Sequence, residues 1–159
     1  MVSGAVGELN RILSDSGFAL RFTREDTADI EITFGSDEEL RLWNPEIDAD
    51  TEADGYSMWQ IDQDDALHSA KIFVVRSLEP GRKWGTVLHE LGHSVGIVGH
   101  TDRYGSSLFH TEFGWGSLSD GYSSDDRKVL RFLYQHLQPS AGKSEVRAAF
   151  EKFWILRSD

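Results

Sequence analysis

The sequence predicts a single domain of the α+β class, and three observations lead there. Asp29-Ile30-Glu31-Ile32-Thr33-Phe34 alternates polar and apolar residues, as a strand with one buried face does. Ile72-Phe73-Val74-Val75 is a short continuous apolar run closed by Glu79-Pro80-Gly81, which fits a buried strand. Apolar residues at helical spacing recur elsewhere, at Val6, Leu9, Ile12 and Leu13 and again at Val129, Leu130, Leu133 and Leu137. A chain of 159 residues is the size of one domain and can bury a core of its own.

The elements follow in order. The first helix carries Val6 to Leu13, and Gly17 stops it. Phe18 to Phe22 reads as a strand, followed by a polar turn from Thr23 to Asp26 and the alternating strand at 29–34. Residues 44–67 hold eight carboxylates (Glu46, Asp48, Asp50, Glu52, Asp54, Asp62, Asp64, Asp65) and no Lys or Arg. Within that acidic stretch Gly55 to Ile61 can form a short strand. A helix is expected from about Arg82 to Val95, then a Gly-rich irregular stretch from Gly96 to Gly121. Ser123-Ser124-Asp125-Asp126 opens another helix. Pro139 to Gly142 breaks it, and Ser144 is expected to cap a last amphipathic helix with Val146, Ala149, Phe150, Phe153 and Trp154 packed against the domain.

Composition narrows the function. With 27 acidic against 16 basic side chains the formal charge is −11, which argues against neutralising nucleic-acid phosphates or docking on anionic membrane. The chain has no cysteine, so disulfides, cysteine nucleophiles and Cys-based zinc sites are excluded. No run approaches the ~18–20 apolar residues that span a bilayer. Met1 to Gly7 lacks the basic start and apolar run of a signal peptide, and the sequence leaves the compartment unknown. A monomer is expected.

One segment carries the chemistry: His89-Glu90-Leu91-Gly92-His93, then Gly96 and His100. On a helix, residues four apart stand one turn above each other, so His89 and His93 can offer two imidazoles to one ion. On a helical wheel they fall opposite the stripe of Trp84, Leu88, Leu91 and Val95, away from where core histidines would lie. Zinc suits neutral imidazole and, in catalytic sites, takes three protein ligands plus a water. Glu90 is placed to accept a proton from that water. Gly96 can end the helix with positive φ and turn the chain so that His100 returns as third ligand. Asp102 is the substitute for it, since a carboxylate also completes zinc sites. The acidic stretch offers hard oxygen ligands for Ca2+ without the spacing of a known calcium loop, and a solvated acidic surface is the simpler reading. His110 is a candidate for polarising substrate; His68 and His136 are read as structural or exposed, and Glu112 as a remote ligand candidate.

The segment resembles the metzincin zinc-peptidase signature HExxHxxGxxH, and the surrounding chain is most similar to the matrixin branch. Phe18-Ala19-Leu20-Arg21-Phe22 and Ala28 to Phe34 are similar to that fold's second and third strands, and Leu118-Ser119 with Ser123 to Tyr134 to the run into its C-terminal helix. The resemblance implies a twisted mixed sheet packed on an active-site helix and a C-terminal helix. Residues 1–100 would form an upper part, 101–138 a lower part, and 139–159 an additional helix. It also implies a zinc-dependent endopeptidase with one catalytic Zn2+ held by His89, His93 and His100, and with Glu90 as general base. Substrate peptide would lie along the strand of Gly55, Tyr56, Ser57, Met58 and Trp59, with Trp115 in the loop Thr111 to Ser119 shaping a specificity pocket. Secretion follows from the family alone. This chain departs from the pattern in three places: its last histidine comes one residue late, after Gly99; Leu108-Phe109 stands where the family turns on a methionine; and the sequence starts almost at the first helix. The family usually has a strand before that helix, so the strand is either lost, trimmed or replaced by Met1 to Gly4. The competing expectation is a catalytically silent zinc-bound module that holds a peptide or protein partner in the same cleft.

Overall fold

The computed structural model describes residues 1–24, 28–47, 53–63, 66–111 and 120–154. The described elements run α1 (Val2–Ile12), β1 (Ile30–Gly35), α2 (Asp37–Trp43), β2 (Gly55–Ile61), β3 (Leu67–Val75), α3 (Pro80–His93), α4 (Ser124–His136) and α5 (Lys143–Phe153). The class is α+β, with a small mixed sheet of order β1-β3-β2.

β3 is the central strand because its side chains are wanted on both faces. Ile72 and Val74 join Val87, Leu88, Leu91 and Val95 of the α3 region and Ala5, Leu9 and Ile12 of α1 in the main core. Phe73 and Val75 point the other way, to Leu40 of α2 and Ala53. That two-sided burial is why this run shows no polar alternation. β1 lies parallel to β3, from Ile30 opposite Ala70 to Gly35 opposite Val75. β2 lies antiparallel, from Gly55 opposite Val74 to Ile61 opposite Leu67, and among the described residues it is a sheet edge.

The helix α3 begins two residues earlier than expected, with Pro80 at its first positions, where a fixed φ and a missing N–H cost nothing. Val87, Leu88 and Leu91 are buried to within 1% exposure; each contributes on the order of 1.5–3 kcal/mol, enough to fix which face of α3 meets the sheet. An ion pair from the Arg82 guanidinium to Asp54 ties its first turn to the chain entering β2. Asp54 is buried, so this member of the acidic stretch is a structural anchor rather than part of a solvated surface. Asp48, Asp50, Glu52, Asp64 and Asp65 lie outside the described residues.

Two further expectations are corrected, and one helix is added to those expected. Phe18 to Phe22 is not a strand. The Asn10 side chain takes the place of a neighbouring strand: its Oδ1 accepts from Leu20 N at 2.7 Å and its Nδ2 donates to Leu20 O at 2.8 Å. Asn10→Ala is therefore expected to destabilise the protein by about 1–3 kcal/mol, because it strips a half-buried peptide of both partners. Hydrogen exchange should show Leu20 losing protection before Ile72 does; equal loss at both would rule out a local clamp. The short helix α2 has no counterpart among the expected elements, since seven residues with Leu40 as the one buried side chain leave no periodicity to read. Its mark is the capping box between Ser36 and Glu39. The cap of α5 is Gly142, whose N–H donates to Glu145, and Ser144 sits inside the first turn.

The helix α4 starts as expected at the Ser123 cap, with Asp126 closing a capping box. Phe150 and Trp154 lie with ring centroids 6.1 and 5.8 Å from Phe132, and Phe153 stacks on His136 at 4.0 Å, so α5 packs on α4. No described helix is long and apolar enough to cross a membrane.

Candidate metal centre

The site is built where α3 ends. Gly96 adopts φ +109°, its N–H donates to His93 O at 3.1 Å, and Ile97 N–H reaches back to Gly92 O at 3.1 Å. This pair of bonds is the Schellman pattern that a glycine in that position permits. The turn does more than stop the helix, because the carbonyl of Ile97 accepts a hydrogen bond from His93 Nδ1. Beyond it, Thr101 N–H donates to Phe109 O at 2.8 Å and Thr111 N–H to Thr101 O at 2.9 Å. That bridge brings His100 alongside residues 107–110, so the later histidine reaches the site.

His89, His93 and His100 converge, with ligating nitrogens all within 4.8 Å of one another; Asp102 is exposed and not part of the group. The Nε2 of His89 lies 2.9 Å from that of His93 and 3.1 Å from that of His100. His89 Nδ1 donates to the carbonyl of Leu108 at 2.8 Å, as His93 Nδ1 does to Ile97. A carbonyl only accepts, so both Nδ1 atoms carry the proton and both Nε2 atoms present lone pairs. Burial lowers all three imidazole pKa values, that of His89 to about 4, with the neighbouring His93 adding to the effect. At neutral pH, then, two bare lone pairs face each other at hydrogen-bond distance with no proton between them. A shared cation makes that contact favourable. An ion with Zn–N bonds of 2.0–2.1 Å in tetrahedral geometry needs nitrogens about 3.3 Å apart, a few tenths of an ångström from what is present. The donor set fits a metal ion.

Beneath the trio lies Phe109, buried, with its ring centroid 5.2 Å from both His89 and His93. Gly92 makes room for it: a Cβ there would stand 2.4 Å from the Phe109 ring. Tyr122 stacks behind at 6.3 Å and donates its hydroxyl to Leu88 O at 2.6 Å. Leu108, also buried, contributes its carbonyl to His89, so Leu108 and Phe109 form the floor of the site.

Glu90 is buried at the side, toward β2. Burial pushes its carboxyl up to about 8, Ser57 opposes that by favouring the charged form, and the nearby Asp54 adds to the rise. Alternate residues of β2 face α3. Gly55 packs on Thr86 and Glu90, Ser57 meets Glu90, and Trp59 lies 6.3 Å from the His93 ring. Gly55 and Ser57 are buried, whereas Met58 and Trp59 are exposed. Tyr56 turns to the opposite face and meets Trp43 edge-on at 6.2 Å. Trp115 and Glu112 lie outside the described residues. His110 is buried beside Phe109, while His68 on β3 is exposed.

Sequence reasoning passed over Asp126 in this setting. It is buried at the start of α4, and its Oδ1 accepts from Ser107 Oγ at 2.5 Å while its Oδ2 accepts from Leu108 N at 2.9 Å and Ser123 N at 2.9 Å. Its place in a capping box was legible; its reach to residues 107–108 had no signal in the sequence.

Compared with protein-family models, curated proteins and solved structures, the chain matches none.

Proposed function

We propose that this protein is a zinc-dependent endopeptidase of metzincin type. One observation carries the reading above the others: the lone pairs of His89 and His93 face each other, each fixed from behind by a carbonyl. Neutral imidazoles in a three-nitrogen set favour zinc over calcium or magnesium, which want oxygen. His89, His93 and His100 would hold the ion, which when bound polarises a carbonyl and makes water acidic near neutral pH.

The chain's own residues do the rest. Glu90 accepts the proton of the attacking water and passes it to the leaving amine. Its setting supports the role: Gly55 leaves space for the side chain, and burial raises the carboxyl pKa to about 8, so that its ionised form is a stronger base than an exposed carboxylate and is matched to proton transfer near neutral pH. β2 offers an unpaired strand edge among the described residues, along which an extended peptide can add as a further strand. Trp59, exposed beside His93, supplies an apolar wall where such a peptide would cross the site.

The test is mass-spectrometric cleavage of a diverse peptide library by zinc-loaded protein. Cuts are expected that vanish on chelation and return when zinc is restored. An intact library with zinc demonstrably bound would overturn the peptidase reading and leave a zinc-bound module that holds a peptide in the same cleft.

A further inference from the structure

We propose that Asp126 is a positioning residue for His89, acting through the Leu108 peptide to set which imidazole nitrogen faces the metal site. The inference rests on the metal-centre reading above. The connection is a short chain of bonds. Asp126 Oδ2 accepts from Leu108 N at 2.9 Å, and the carbonyl of the same Leu108 accepts from His89 Nδ1 at 2.8 Å. Asp126 Oδ1 holds Ser107 Oγ at 2.5 Å, and that hydroxyl in turn accepts from Phe109 N at 3.0 Å. One carboxylate thus fixes the backbone from Ser107 to Phe109, whose two products are the carbonyl behind His89 and the ring beneath it.

Burial makes the arrangement exacting. Asp126 is 5% exposed, Ser107 4% and Leu108 1%, so water cannot stand in for a lost partner. Asp126 is anchored at its own end by its place in the first turn of α4 and by the Ser123 backbone, whose N–H donates to Oδ2 at 2.9 Å whatever side chain stands at 123. The direction of the Leu108 carbonyl is therefore referred to the start of a helix more than ten residues away, rather than left to the loop's own preference. Groups behind a metal-ligating histidine commonly fix its tautomer and basicity. Here the carbonyl does so directly, and Asp126 holds the carbonyl.

Two variants separate positioning from plain capping. Asp126→Ala removes every bond to residues 107 and 108. Ser123→Ala removes the cap acceptor and leaves those bonds in place. Long-range proton–nitrogen NMR of the metal-free protein reads the His89 tautomer, and zinc titration against a chromophoric chelator reads affinity. In wild-type protein His89 is expected as the Nδ1–H form. Asp126→Ala should mix the two tautomers and weaken zinc binding roughly 10–100-fold, the usual cost of losing such a partner. Asp126→Asn, whose amide oxygen can still accept from Leu108 N, should restore both readouts. Ser123→Ala should lower Tm yet keep the wild-type tautomer and affinity.

An unchanged His89 tautomer in folded Asp126→Ala overturns the proposal, as does an equal loss of zinc affinity in Ser123→Ala. If Asp126→Ala does not fold, Asp126→Glu carries the same comparison, since the added methylene displaces the carboxylate from Leu108. Wild-type protein that binds no zinc would remove the metal-centre reading, while the tautomer comparison would still decide the role of Asp126.

Discussion

Glu90→Gln is expected to slow peptide hydrolysis by roughly 10²–10⁴-fold, the range a positioned general base supplies. The amide has the shape of the carboxyl and cannot accept the water's proton at neutral pH. Three features say the substitution acts on chemistry rather than on the fold. Glu90 is not one of the converging nitrogen donors, so the donor set survives intact. Its side chain fills a space bounded by Gly55, which glutamine fills equally. Burial already favours the neutral carboxyl, with a pKa of about 8 in this setting, so a neutral replacement leaves no new unpaired charge. Zinc affinity should therefore stay within about threefold of wild type, well short of the 10–100-fold cost of a disturbed ligand. Initial rates on a cleaved peptide, with zinc content measured on the same samples, check both parts. A rate within tenfold of wild type would remove Glu90 from the mechanism. A parallel loss of zinc would show that it serves the metal centre instead.

The sequence made the converging histidines legible because their signal is periodic and local. His89 and His93 are one helical turn apart, and Gly96 marks where the turn must come. His100 was legible as a candidate, with Asp102 beside it, and only the bridge of Thr101 to Phe109 and Thr111 shows how the histidine gets there. That bridge is a long-range backbone contact with no composition to announce it. β2 was read over its observed span, since a segment this short and rich in aromatic and apolar residues between acidic stretches of sequence has little else to become. Phe18 to Phe22 shows the opposite case. Its residues suit a strand, yet a strand exists by pairing, and Asn10 of a different element satisfies Leu20 instead. Propensity reports what a segment can do, and the choice among partners is made by tertiary contacts. The same holds for Phe109. The family resemblance implied a turn there below the histidines, but the fit of its ring over Gly92 is a fact of packing.

That fit yields the second large effect. Gly92→Ala is expected to destabilise the protein and weaken zinc binding together, although alanine is the better helix former by about 1 kcal/mol. The gain in propensity is outweighed because the new methyl would sit 2.4 Å from the Phe109 ring and 3.3 Å from Tyr122. The ring has no free direction: it is buried, stacked against Tyr122, and packed on both His89 and His93. Overpacking of this kind costs typically 1–3 kcal/mol against that gain, so a net loss of up to about 2 kcal/mol and a Tm lower by up to roughly 4–8 °C are expected. Displacing the ring tilts the two imidazoles it supports, and a zinc affinity lower by about tenfold or more should follow. The cause can be isolated by a double-mutant cycle with Phe109→Leu. Leucine alone leaves a cavity under the histidines, but combined with Gly92→Ala it vacates the space the methyl needs. The pair should therefore lose less stability than the two single substitutions summed. Strict additivity would mean that Gly92 and Phe109 do not meet in solution, and the packed floor beneath the histidines would then have to be abandoned.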